Sequence, residues 1–201
     1  HSYANPAHEE RLAALVRELD ADIPISLSSQ ILPEFREYER TLVTVMNAYV
    51  RPRMQSYMAG FEEKLHAIQF TPHVNIVRSD GGLMSVARAS DSPVHTMLSG
   101  PAGGVSGAAF LAALAGHPNA LGFDMGGTST DVSMVQDGQP TISRQTMLGY
   151  YPIKIPSVEV HSVGAGGGSI AHVPMTGALR VGPESAGALP GPACYGMGGE
   201  L

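Results

Sequence analysis

The sequence predicts an α/β fold. Apolar residues recur at helical spacing through its first third, and short apolar runs bounded by glycine turns follow. Where helical and strand-like patterns alternate, packed layers of both are the expected solution. Asn5-Pro6 opens the first helix, because Asn can cap free backbone N–H groups and Pro suits the first helical position. Leu12, Leu15, Val16 and Leu19 continue it, and Ile23 to Ser28 is a strand candidate. A helix in such a fold is normally fed by a strand, so one is expected just upstream of His1. A long helical pattern follows, with Phe35, Tyr38, Leu42, Val45, Tyr49, Phe61 and Leu65 on roughly one face and Pro52 expected to kink or divide it. The charged run from Glu34 to Arg40 reads as its solvated side.

Val74 to Arg78 is the next strand candidate, ending in the turn Ser79-Asp80-Gly81-Gly82, and Val94 to Leu98 is another. Gly100 to Gly104 opens a helix of small residues, roughly Val105 to Ala115. Leu121 to Phe123 and Val132 to Val135 read as a strand and its antiparallel return, and Asp137-Gly138 closes the next hairpin. Beyond about residue 164 the chain is rich in Gly, Pro and Ala and reads as loops.

Composition narrows the function. The chain has 201 residues, 43% hydrophobic and 15% charged, which suits a packed core rather than disorder. Its net charge of -6 and its pair of lysines, Lys64 and Lys154, disfavour nucleic acid as a partner. The single cysteine, Cys194, excludes an internal disulfide and a Cys-cluster zinc site. It fits a reducing cytoplasm and reads as buried and inert, because no Lys or Arg lies near it in sequence to activate the thiol. No apolar run reaches the roughly 18 residues of a membrane span, and no segment has the make-up of a signal peptide. The eight histidines are scattered, with no pair at ligand spacing.

The chemistry concentrates in Asp124-Met125-Gly126-Gly127-Thr128-Ser129-Thr130-Asp131. Two glycines allow a tight turn and close approach of a ligand to the backbone. Their N–H groups, with the hydroxyls of Thr128, Ser129 and Thr130, make a donor-rich concavity for phosphate oxygens. Asp124 and Asp131 at its ends can hold Mg²⁺ directly or through water. A plain Gly-Gly hairpin would need neither the two carboxylates nor the three hydroxyls. Gly164-Ala165-Gly166-Gly167-Gly168-Ser169 removes side chains where something flat or charged can approach, although a flexible loop has the same composition. Gly100 to Gly104 suits an anion at a helix N-terminus or close helix packing. The sequence has no P-loop, and the 164–168 segment lacks dinucleotide-fingerprint spacing.

An Asp-x-Gly-Gly-Thr-x-x-Asp loop followed by a glycine-rich loop resembles the phosphate machinery of the actin/hexokinase/Hsp70 superfamily. Ser99-Gly100-Pro101-Ala102-Gly103-Gly104, Gly122 to Val132, Val163 to Ala171, Val181 to Ala188 and Pro190-Gly191-Pro192-Ala193-Cys194-Tyr195-Gly196 together resemble the hydantoinase A/5-oxoprolinase family. The resemblance implies a fragment of an actin/hexokinase-like (ribonuclease H-like) ATPase fold. Residues 1–72 would end one lobe and its connecting helices, and residues 73–201 would form the core of a second, nucleotide-binding lobe. It implies ATP and Mg²⁺ as cofactors, with Asp124 catalytic and Asp124 and Asp131 on the metal. Nucleotide contacts would come from Asp124, Gly126, Gly127, Thr128, Ser129, Thr130 and Asp131, and, around the adenosine, from Gly164, Gly166, Gly167 and Gly168. The implied activity is an ATP-dependent hydrolase that phosphorylates the carbonyl oxygen of a cyclic amide, paired with a hydantoinase B-type subunit or domain. The alternatives are a ketone carboxylase subunit and a non-catalytic nucleotide-binding module. A second such phosphate loop is implied upstream of His1, so this chain alone is expected to bind ATP no tighter than about millimolar.

Overall fold

The computed structural model describes residues 1–200. In chain order the helices and strands are α1 (Ala7–Leu19), α2 (Ser28–Ile31), α3 (Glu37–Ala67), β1 (Asn75–Val77), β2 (Leu83–Ser85), α4 (Val86–Asp91), α5 (Ser99–Leu114), β3 (Ala120–Met125), β4 (Thr130–Gln136), β5 (Gln139–Pro140), β6 (Ile142–Ser143), β7 (Thr146–Leu148), β8 (Tyr151–Ile153), β9 (Ser157–Val158), β10 (Val160–Val163), β11 (Ser169–His172) and β12 (Arg180–Ser185). Two compact units emerge: His1–Gly103 with Ile142–Ser157, and Gly104–Thr141 with the chain from Val158 onward. The lobe boundary expected at residue 72 lies inside the first unit. Leu201, expected to end the second lobe, is outside the described residues. No helix among the described residues is long and apolar enough to cross a membrane.

The first unit is organised on α3. Its Val43 packs with Ile31, Leu32, Val94, Ile153 and Ile155, and its Met58 with Val86 and Ala89. The helix runs unbroken through Pro52, so of the expected kink or division the division does not occur. The bond that Pro52 cannot make would have gone to the carbonyl of Ala48, an exposed residue, where water can replace it. The buried face also differs in part from the expected one, of which Leu42 packs against this core. Tyr38, Val45 and Tyr49 are exposed, while Arg40, Val43 and Asn47 face inward. Arg40, expected on the solvated side, donates through Nε to Ser28 Oγ (3.2 Å) and through Nη1 to the Glu34 carbonyl (2.7 Å), with Tyr3 against its guanidinium.

Asn47 is fully buried. Its Nδ2 donates to Ser26 Oγ (3.0 Å) and the Asp91 carbonyl (3.1 Å), and its Oδ1 accepts from Val94 N–H (3.3 Å). Side chains of α3 therefore take over the segment expected as a strand at Ile23 to Ser28. Pro24 has no N–H for a ladder, and the Ile25 carbonyl accepts from Arg51 instead. The strand expected at Val94 to Leu98 is a 3-10 turn, Pro93–Thr96, closed by Thr96 Oγ1 donating to the Pro93 carbonyl (2.8 Å). Replacing Asn47 with alanine takes a hydrogen bond from three partners at once, the buried Val94 N–H among them. We expect a loss of about 2–4 kcal/mol, read by denaturant unfolding of the full-length protein.

On α1 the apolar positions Leu12 and Leu19 are exposed, and Ala13 is its buried residue. The helix is held through Glu9, whose carboxylate accepts from Ser29 N–H (3.0 Å), Ser29 Oγ (2.8 Å) and Ser28 Oγ. Partial burial pushes its pKa up, but hydrogen bonds from Ser28 and Ser29 outweigh this and hold it below the usual carboxylate value.

The second unit centres on an antiparallel sheet in the order β10-β4-β3, with β5 paired to β4. Its β3–β4 hairpin falls where the sequence places it, and Asp137-Gly138 forms the turn into β5, both with positive φ. The glycine-rich stretch read as loops contains a further antiparallel pair, β11–β12.

Candidate functional site

In an antiparallel pair, residues directly opposite one another project from the same face. Asp124 on β3 is opposite Asp131 on β4, and Asp131 is opposite Ser162 on β10. A row Asp124–Asp131–Ser162 therefore crosses three strands at the end of the sheet nearest the Gly126–Ser129 turn. Two residues away lies the row Gly122–Ser133–Val160. There a Cβ built on Gly122 would lie 3.6 Å from the Ala108 Cβ of α5. One turn earlier in α5, the Cβ position of Gly104 is 3.8 Å from Asp124 Oδ2. The small residues of this helix thus lie within ordinary contact distance of β3, at Gly122 and at the Asp124 carboxylate.

Ser162 Oγ donates to Asp131 Oδ1 (2.5 Å), and the Asp124 carboxylate accepts no hydrogen bond among the described residues. Two carboxylates directly opposite each other repel, and a cation shared between them would remove that cost. Magnesium commonly takes one or two carboxylates and fills its other positions with phosphate oxygens and waters. No cluster of three or more His, Cys, Asp or Glu suited to a metal occurs among the described residues. The pair Asp124 and Asp131 would supply two ligands to such a cation.

The turn supplies the complementary donors. Gly126 N–H is used internally, donating to the Ser129 carbonyl (2.9 Å). The N–H groups of Gly127, Thr128 and Ser129 have no partner among the described residues, and all three residues are exposed. Neither Gly126 nor Gly127 has positive φ, contrary to one expected use of glycine here. A Cβ would also fit, 3.5 Å from the Ser129 carbonyl oxygen at Gly126 and 3.8 Å from the Tyr195 hydroxyl at Gly127. The fold itself does not demand glycine at these two positions. What a side chain would obstruct is access to the free N–H groups.

The second glycine loop packs directly on the first. Gly167 N–H donates to the Gly126 carbonyl (2.9 Å) and Gly168 N–H to the Gly127 carbonyl (2.7 Å). A Cβ on Gly166 would stand 2.6 Å from the Gly126 oxygen, 2.7 Å from the Thr128 nitrogen and 2.8 Å from the Gly127 carbonyl carbon. What approaches Gly166 is thus the neighbouring backbone. No such wall meets Gly164, which has open space at its Cβ position. All these neighbours of Gly166 are main-chain atoms that cannot swing aside. We therefore expect Gly166→Ala to cost about 1–3 kcal/mol and to disorder both loops. A lowered melting temperature of the full-length protein would register it.

Thr130 was expected to offer its hydroxyl to phosphate. Strand alternation instead puts it on the face opposite Asp131, where it is 3% exposed and donates to the Ala165 carbonyl (2.5 Å). It pins the two loops together, leaving Thr128 and Ser129 as the exposed hydroxyls. Ser162 was missed in the sequence, since only the pairing of β10 with β4, distant in the chain, brings it to Asp131. Cys194, expected to be buried, is exposed on a 3-10 turn, Ala193–Tyr195, that buries none of its residues.

Comparison with known proteins gives this geometry a family. Residues 40–201 match the family model Hydantoinase/oxoprolinase. The chain belongs to the hydantoinase/oxoprolinase family. It is 41% identical over 202 residues to 5-oxoprolinase 1 of Arabidopsis thaliana, which covers 100% of the chain and 16% of that protein. Among solved structures it is similar to the ATP-dependent caprolactamase of Pseudomonas jessenii (35% identity, TM-score 0.79, 98% of this chain and 29% of that one). It is likewise similar to an acetone carboxylase described in its nucleotide-free form (30% identity, TM-score 0.73, 93% and 27%). The chain thus spans less than a third of the length of each of these proteins.

Proposed function

We propose that this chain supplies one phosphate-binding loop of an enzyme that spends ATP to activate a carbonyl oxygen, in the first instance that of a cyclic amide. The observation that carries the reading is the juxtaposition of three N–H groups without a partner among the described residues, at Gly127, Thr128 and Ser129, with the opposed carboxylates of Asp124 and Asp131. An amide carbon is a poor electrophile. Moving the terminal phosphoryl group of ATP onto the amide oxygen, with ADP leaving, makes that carbon open to water. The protein's part is positioning and charge stabilisation. The loop N–H groups hold phosphate oxygens, Asp124 and Asp131 orient the cation, and Ser162 fixes the Asp131 carboxylate. Mg²⁺ bound there would neutralise charge on the phosphate oxygens. Of the second glycine loop, Gly164, with open space at its Cβ position, would border the adenosine.

Similarity to caprolactamase and 5-oxoprolinase favours a cyclic amide and similarity to acetone carboxylase a ketone, so ketone carboxylation is the second reading. In either case a hydantoinase B-type subunit would complete the reaction. The test is ADP release by the full-length protein with that partner, supplied in turn with oxoproline, lactams, hydantoins, and ketones plus bicarbonate. Turnover dependent on a cyclic amide supports the first reading, and turnover dependent on ketone and bicarbonate the second. ATP binding without substrate-dependent turnover in any mixture would point to a non-catalytic module.

A further inference from the structure

The segment Gly191-Pro192-Ala193-Cys194-Tyr195-Gly196 has no role in the site described so far, yet it delivers a side chain to it. Tyr195 ends the Ala193–Tyr195 turn, with its N–H donating to the Pro192 carbonyl (2.9 Å). Its ring lies against Gly191, where a Cβ would stand 2.5 Å from the ring carbon Cδ2 and where φ is 73°. The ring therefore occupies space that only a glycine leaves free, which fixes its direction. Its hydroxyl sits 3.8 Å from the Cβ position of Gly127 and 3.2 Å from that of Gly167. The tip of Tyr195 thus reaches both glycine loops, on the side of Gly127 where the absence of a side chain leaves the backbone open. The hydroxyl makes no hydrogen bond among the described residues, and the residue is 43% exposed.

A phenol O–H is a neutral donor carried on a rigid ring. Here it lies beside Gly127, whose N–H has no partner among the described residues. We propose that Tyr195 is a phosphate-binding residue, its hydroxyl donating to a phosphate oxygen of the nucleotide alongside the N–H groups of Gly127, Thr128 and Ser129. The inference rests on the ATP reading of the loop and adds to it the residue that closes the site. It also accounts for Gly167, since a methyl group there would press on the hydroxyl rather than on backbone.

The experiment compares full-length wild-type protein with Tyr195→Phe, which removes the hydroxyl alone, by calorimetric titration with Mg²⁺·ATP and with adenosine. One hydrogen bond to a charged group corresponds to roughly 10- to 100-fold in affinity. We expect that loss for ATP, none for adenosine, and an unchanged melting temperature. Equal ATP affinity in the two proteins would overturn the role of Tyr195 and leave the loop assignment standing. A wild-type protein that binds no ATP would overturn both. If Tyr195→Phe folds poorly, 3-fluorotyrosine placed at position 195 keeps the hydroxyl and supplies a direct readout. Its ¹⁹F resonance should move with ATP and with tripolyphosphate but not with adenosine, and a resonance unmoved by bound ATP would contradict the contact.

Discussion

Replacing Asp124 with alanine in the full-length protein is expected to lower ATP turnover at least about 100-fold. The carboxylate sits in a row with Asp131 and Ser162, accepts no hydrogen bond among the described residues, and is exposed. Nothing in the fold therefore depends on it, and its removal even relieves repulsion with Asp131. Stability should hold or rise slightly while turnover collapses. A structural aspartate would behave in the opposite way, and near-normal turnover in the variant would show that the loop is only a hairpin. Steady-state ADP release and a thermal melt on the same sample separate these outcomes.

Gly127→Val is expected to weaken ATP binding at least about 100-fold while the protein still folds. The backbone at Gly127 is not left-handed, and its nearest neighbour to a new Cβ is the Tyr195 hydroxyl at 3.8 Å, an ordinary contact. A Cβ at 127 therefore fits the fold, and valine's methyl groups would stand where phosphate oxygens meet the N–H groups. Losing two charge-assisted hydrogen bonds, each roughly 1.5–3 kcal/mol, accounts for the factor. The contrast with Gly166→Ala is the informative part. There the wall is backbone at 2.6–2.8 Å, so the expected damage is to stability first. Isothermal titration and melting curves on both variants distinguish a glycine kept for a ligand from one kept for packing.

What could be read from the sequence was local. The β3–β4 hairpin is legible because its turn chemistry, its flanking carboxylates and its alternating strands lie within a few consecutive residues. The same alternation could have separated Thr130 from Asp131, since neighbours on a strand face opposite ways. What escaped reading depends on distant partners. Arg40 and Asn47 look like surface residues until the carbonyls of Glu34 and Asp91, Ser26, Ser28 and the N–H of Val94 come to meet them. Apolar spacing therefore placed Leu42 against the core but misplaced Tyr38, Val45 and Tyr49. Ser162 depends on the register of β10, and Tyr195 on a turn that brings residues 191–195 back to Gly127 and Gly167. The glycine-rich loop at 164–168 was visible, but the reason for glycine at 166, a second backbone loop against it, was not.

The most direct test of the phosphate loop is amide hydrogen exchange on the full-length protein with and without Mg²⁺·ATP, resolved at residues 126–129. In the free protein Gly127, Thr128 and Ser129 are exposed residues whose N–H groups have no partner among the described residues, so these should exchange faster than Gly126 N–H, which is bonded to the Ser129 carbonyl. With nucleotide bound, those three amides are expected to slow markedly, and the slowing should be lost in Asp124→Ala. Unchanged fast exchange at all three positions, with ATP demonstrably bound to the protein, would contradict the assignment of this turn as the phosphate site.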